Sequence, residues 1–154
     1  MKQVGVFWII SAVIAAVLAG TAAVSAQSLD PGDTATCQLE ILLTGFDNDQ
    51  GQAKLALVNS RDQFETEDSQ FMGINRPVIH RQVGLTLTVP FGEYAVKVYH
   101  DENNNDQLDT RMFGIPKERY GFSNNVRGTL GPPAYADALF LLDTAEHAIA
   151  IELK

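Results

Sequence analysis

A single cysteine, Cys37, leaves no partner for an internal disulfide, so the fold has to be held by packing, with or without a metal. Basic residues are scarce as well: 11 Lys and Arg face 19 Asp and Glu, for a net charge of −8. That sign makes nucleic acid and anionic lipid surfaces poor partners and cations better ones. There is no convincing pattern for a long helix and no internal repeat.

The one long apolar run, from Val4 to about Ala19, follows Lys2 and leads to Val24-Ser25-Ala26. A short positive start, an apolar stretch and small residues at the end form an A-x-A-like signal-peptidase site. A membrane anchor is the competing reading of the same run. The sequence therefore predicts a leader over 1–26, a linker over 27–35 and a single domain over 36–154 in the periplasm or secreted, with no membrane span after leader removal. Losing Lys2 with the leader shifts the net charge from −8 to −9. Cys37 lies too far beyond the apolar run to be a lipoprotein cysteine. It is in phase with Leu39, Ile41 and Leu43, which marks a small buried hydrophobe rather than a reactive thiol.

Period-two alternation is the dominant pattern in the rest of the chain. It predicts strands over 37–43, 52–58, 77–83, 85–89, 93–100, 137–142 and 147–153, with a helical turn near Ser60. The turn residues Asp47-Asn48-Asp49-Gln50-Gly51 join the first two as a hairpin, Pro77 opens the third and Gly84 breaks it from the fourth. About seven short strands separated by turn signals predict an all-β fold, an immunoglobulin-like antiparallel β-sandwich with one long ordered loop.

That loop lies within 94–125, YAVKVYHDENNNDQLDTRMFGIPKERYGFSNN. Starting at Asp101, oxygen-bearing side chains recur at alternate positions: Asp101, Asn103, Asn105, then Gln107 through its carbonyl, then Asp109. This is the spacing by which a calcium loop aims its ligands at one centre. Leu108 stands where such loops place an inward apolar residue. Asp106 replaces the usual glycine, which a left-handed Asp tolerates. Met112 replaces the bidentate acid, leaving Glu118 or Glu102 to supply one. A self-satisfied Asx-rich turn that binds nothing is the alternative. His100 invites pairing with Asp101 or Ser123 as a hydrolase, but a histidine that ends a strand and bonds a loop carbonyl is the more ordinary reading.

GEYAVKVYHDENNNDQLD followed by FGIPKERYGFSNN resembles the signature of a bacterial family of small exported proteins catalogued as domain of unknown function 2141 (DUF2141). The resemblance covers most of the chain after the leader. It implies export and an immunoglobulin-like β-sandwich and brings no established activity. The chain lacks the Tyr-Arg-Gly-Ser end of the transthyretin-like hydrolases, a more distant likeness. Three functions follow as expectations: a non-enzymatic module that binds calcium and meets a cell-envelope protein or glycan, a hydrolase built on His100, or a purely structural sandwich.

Overall fold

The computed structural model describes residues 35–66, 69–129 and 131–154. The expected leader, and all of the expected linker except Ala35, lie outside the described residues. Among these residues eight strands and two short α-helices follow in order, besides 3-10 turns at Met112–Gly114 and Ser123–Asn125: β1 (Thr36–Thr44), β2 (Gln52–Val58), α1 (Arg61–Glu65), β3 (Met72–Pro77), β4 (Val83–Pro90), β5 (Gly92–Asp101), β6 (Tyr120–Phe122), α2 (Tyr135–Ala138), β7 (Phe140–Leu142) and β8 (Glu146–Glu152). They form two sheets, β4-β1-β8 and β3-β2-β5-β6, with β7 also paired to β5.

The alternating segments do what their period requires. In β1, Cys37, Leu39, Ile41 and Leu43 are all buried while Gln38, Glu40 and Leu42 face outward. They meet Leu55 and Leu57 of β2, Tyr94, Val96 and Val98 of β5, Leu142 of β7 and Ile151 of β8 in one core between the sheets. This all-β sandwich is the predicted fold class. A second, smaller cluster covers the outer face of the larger sheet, where Phe64 of α1 and Ala138 of α2 pack on Val58, Ala95 and Phe122.

Pairing departs from the sequence reading in several places. β1 and β2 are not a hairpin: β1 pairs with β4 and β8, β2 with β3 and β5, so the chain crosses between sheets at 45–51. Gly45 (φ 87) and Gly51 (φ 65) make that crossing, and a Cβ on either would strike backbone, Leu153 O at 2.2 Å or Asp101 O at 1.9 Å. One pair is parallel, β1 with β8, because the last strand returns along the edge of the first.

The third strand is 72–77 rather than 77–83, so Pro77 ends it instead of opening it. Pro77 lies on β3, an edge of its sheet, where a missing N–H is tolerated. Gly84 does not break a strand; it lies inside β4 opposite Leu42. The segment expected as a strand from Asp137 begins as the helical turn α2 and becomes extended only at Phe140.

Candidate functional site

Adjacent strand residues point to opposite faces, and the end of β5 uses this to separate His100 from Asp101. His100 continues the inward row of Tyr94, Val96 and Val98 and is fully buried, its ring edge-on to Phe46 with centroids 5.0 Å apart. Its Nε2 lies 2.7 Å from Gln50 O, an acceptor, so that nitrogen carries the hydrogen. The histidine therefore ends the strand by bonding a loop carbonyl. Its Nδ1 is the one buried side-chain polar atom without a hydrogen bond among the described residues. The nearest carboxylate is that of Glu102, 3.7 Å away, which also accepts from Asn48 Nδ2 at 3.1 Å.

Ser123 is not brought to His100. The β5–β6 register sets Ser123 beside Val96 and Arg119 beside His100, a separation of about 13 Å along the strand. Its hydroxyl is committed elsewhere: it accepts from Val96 N at 2.9 Å and donates to Ala138 O at 2.5 Å, fully buried.

The polar loop leaves the same strand end and folds around two carboxylates. Asp101, fully buried, accepts from Asn105 N on Oδ1 (3.0 Å) and from Asp106 N on Oδ2 (3.1 Å). Asp106 takes the left-handed conformation, φ 64, as does Asn104, φ 58. The sharp turn usually made by glycine is therefore made here by Asp. Asn103 and Asn105 each accept a backbone N–H two residues on, from Asn105 and Gln107. Both turn their amide nitrogens onto Asp109, Asn103 to Oδ2 and Asn105 to Oδ1, each at 3.0 Å. Asp101, Asn103, Asn105 and Asp109 are thus gathered, and Gln107 joins through its backbone N–H.

Two residues complete the loop. Glu118, buried, accepts from Glu102 N at 3.0 Å and Asp109 N at 2.9 Å, tying the two ends of the loop together. It therefore fastens backbone and does not supply the missing twelfth-position acid. Lys54, from the middle strand β2, sets its ammonium against Asp106 and 3.9 Å from Asp101 Oδ2. Only pairing across the sheet brings this lysine to the loop, so nothing in its local sequence signals it. Beside these, Arg119 forms a two-pronged pair with Asp47, Nε to Oδ2 at 2.8 Å and Nη2 to Oδ1 at 2.7 Å. That hydrogen bond holds the Asp47 carboxyl below the usual carboxylate range and raises Arg119.

Among the described residues, no group of three or more His, Cys, Asp or Glu side chains is placed to hold a metal ion. A cation in this loop would therefore rest on amide and backbone oxygens as well as carboxylates. The donor set suits a hard ion. It would require Asn103 and Asn105 to present oxygen where they now present nitrogen.

The signature residues after the loop have mechanical tasks. Gly121 lets β6 approach β8, since a Cβ there would lie 2.9 Å from Ile151 Cγ2. Asn124 and Asn125 are both left-handed, φ 57 and 55. The Asn124 amide donates to Asp137 O and Leu139 O, and Asn125 donates to Ala150 O and accepts from Glu152 N. They pin α2 and β8 to the end of β6.

Fold and site together define a two-sheet all-β domain with an Asx-built loop at the end of a central strand. The chain belongs to a bacterial family described as uncharacterized protein conserved in bacteria (DUF2141), whose model matches residues 41–150. No curated protein and no solved structure matches the chain.

Proposed function

We propose that this protein is an exported, non-enzymatic module of the cell envelope, immunoglobulin-like in its layering, with a hard-cation site in its 101–109 loop. Calcium is the ion the oxygen set suits, with Asp101, Asn103, Asn105, Gln107 and Asp109 as its ligands. Binding stiffens the loop, and the domain presents a surface to a protein or glycan partner. The layering reading is supported by two sheets sharing one core and by the repeated crossing of the chain between them.

The observation that carries the cation reading is the convergence of Asn103 and Asn105 on Asp109 around a left-handed Asp106. Turning each amide about its own axis exchanges the two nitrogens at Asp109 for two oxygens and gives up the bonds those oxygens accept from Asn105 N and Gln107 N, a cost the ion has to outweigh. Lys54 and Lys117, the latter 3.9 Å from Asp109, stand as resident positive charges that a divalent ion would displace or share.

Melting of the chain from Gln27 in calcium and in chelator tests the reading. An ion that binds only the folded state stabilises it by about 2.7 kcal/mol at a hundredfold excess over Kd, which raises Tm by several degrees. Asp109→Asn removes a charged ligand and one of the two acceptors that Asn103 and Asn105 use, so the melt in chelator falls slightly and the calcium-dependent rise disappears. Asp101→Ala also abolishes the rise, and His100→Ala keeps most of it, since imidazole is a poor ligand for a hard ion. Wild-type curves that coincide up to millimolar calcium would establish the self-satisfied turn instead.

A further inference from the structure

The segment between the loop and Glu118 carries exposed apolar side chains that neither the fold nor the cation reading uses. Met112 is 80% exposed, Phe113 94% and Ile115 59%. Single exposed apolar residues need no explanation, but three within four residues at a turn mark a contact surface. The turn is ordered by its own backbone: Arg111 N donates to Ile115 O at 2.7 Å, Gly114 N to Arg111 O at 3.2 Å and Lys117 N to Asp109 O at 2.8 Å, with a bridge between Thr110 and Pro116. Glu118 fastens its base. Phe113 has φ 69, a conformation that costs a non-glycine residue on the order of 1 kcal/mol. A bulky aromatic held there, and left in solvent, satisfies no need of the fold.

We propose that the turn 111–117 is a lipid-contact tip. Met112, Phe113 and Ile115 enter the head-group and upper acyl region of a bilayer, and Arg111 and Lys117 lie at the level of the phosphates. Three features of the tip favour a bilayer over a protein pocket. Its apolar side chains stand largely free in solvent, and a bilayer needs no complementary cavity to receive them. Three of its backbone N–H groups, those of Arg111, Gly114 and Lys117, are bonded to carbonyls of the same segment, which lowers the cost of leaving water. Its apolar crest is flanked on both sides by cations with aliphatic stems, the layering of an interfacial anchor. The net negative charge of the chain disfavours flat electrostatic attachment, whereas a small apolar tip with two local cations needs only its own patch to meet the lipid. This goes beyond the cation reading and does not depend on it.

Flotation with vesicles of phosphatidylethanolamine and phosphatidylglycerol (3:1) tests the proposal, using the chain from Gln27, which holds every element of both sheets and lacks the apolar leader. Each sample is run in calcium and in chelator, so loss of cation binding and loss of lipid contact are separate results. Wild type floats with the vesicles and retains most binding in high salt. Phe113→Ser with Met112→Ser lowers partitioning roughly tenfold or more. Phe113→Gly lowers it too while Tm is unchanged or higher, because glycine relieves the backbone, and this separates contact from folding. Leu42→Ser, on the outer face of the β4-β1-β8 sheet, leaves binding unchanged. Phe113→Trp adds a unique reporter, since the sole tryptophan, Trp8, is in the leader; its emission shifts to the blue with vesicles. Wild type that stays with the unbound fraction, or a double-serine variant that floats equally well, overturns the proposal. Failure to float together with concentration-dependent self-association lost on Phe113→Ser also overturns it and assigns the tip to a protein contact.

Discussion

Ser123 fills a gap that no backbone group can fill. β6 pairs with β5 at residues 97–99 and β7 pairs with it at 92–94, which leaves Val96 N, fully buried, without a strand partner. The serine hydroxyl accepts that N–H and passes its own hydrogen to Ala138 O. Ser123→Ala therefore leaves a buried donor and a buried acceptor unmatched and destabilises the domain by about 1–3 kcal/mol, read as a lower denaturation midpoint at constant slope. Asp47 acts through charge. Its hydrogen bond with Arg119 holds the folded carboxyl below its unfolded range. The resulting stability is present above the unfolded pKa and is lost as pH falls through the folded one. Both partners are about half exposed, so solvent screening limits the effect to about 1 kcal/mol or less. In urea melts, Asp47→Asn lowers stability slightly at neutral pH, and the difference from wild type closes as the pH falls below the ordinary carboxylate range.

At the scale of elements, α1 is too short to persist alone and is secured from outside. Ser60 caps its first turn by accepting from Gln63 N. Lys97, on the outer face of β5, donates to Gln63 O, Phe64 O and Thr66 O at its other end, where free carbonyls and the helix dipole favour a cation. Phe64 then closes the outer cluster with Phe122 and Tyr135. Lys97→Met keeps the aliphatic packing and removes the donor, at a cost of about 1–2 kcal/mol. Hydrogen exchange locates the loss: amides of 63–66 exchange faster while those of β1 keep their protection. The loop after β5 is fastened in the same manner, by Asp101 and Glu118 accepting backbone N–H groups.

For the whole molecule, the parallel β1–β8 pair joins the first strand to the last, so the smaller sheet is complete only when both ends of the domain are in place. With no disulfide to hold that closure, stability rests on the shared core, in which Cys37 is buried and its thiol is pushed up by burial. Truncation within β8 would remove Ile151 and Leu153 from that core together with the edge of β1. No helix among the described residues is long and apolar enough to cross a membrane. Export is tested on the protein made by its native host: mass spectrometry finds the amino terminus at or near Gln27, whereas an intact residue 1–26 segment in the membrane fraction would establish an anchor.

The sequence by itself determined the strand faces and the outline of the loop. Alternation in 37–43, 52–58, 85–89 and 93–100 encodes which side chains go inward, because the strand period is local and needs no knowledge of the partner. The Asx spacing from Asp101 to Asp109 and the left-handed Asp106 were legible for the same reason. Which strands pair was decided only in three dimensions. β1 and β2 look like a hairpin because two alternating runs flank a turn, yet each finds its hydrogen bonds in a different sheet. The strand 72–77 shows no period in sequence because Gly73, Asn75 and Arg76 leave few apolar residues to carry one, and the three residues of β6 are too few to show any. Lys54 at the loop, Ser123 in the ladder gap and Asn125 on β8 all act across separations of 27 to 52 residues. A one-dimensional pattern cannot carry such contacts, since they exist only after the core has chosen the register.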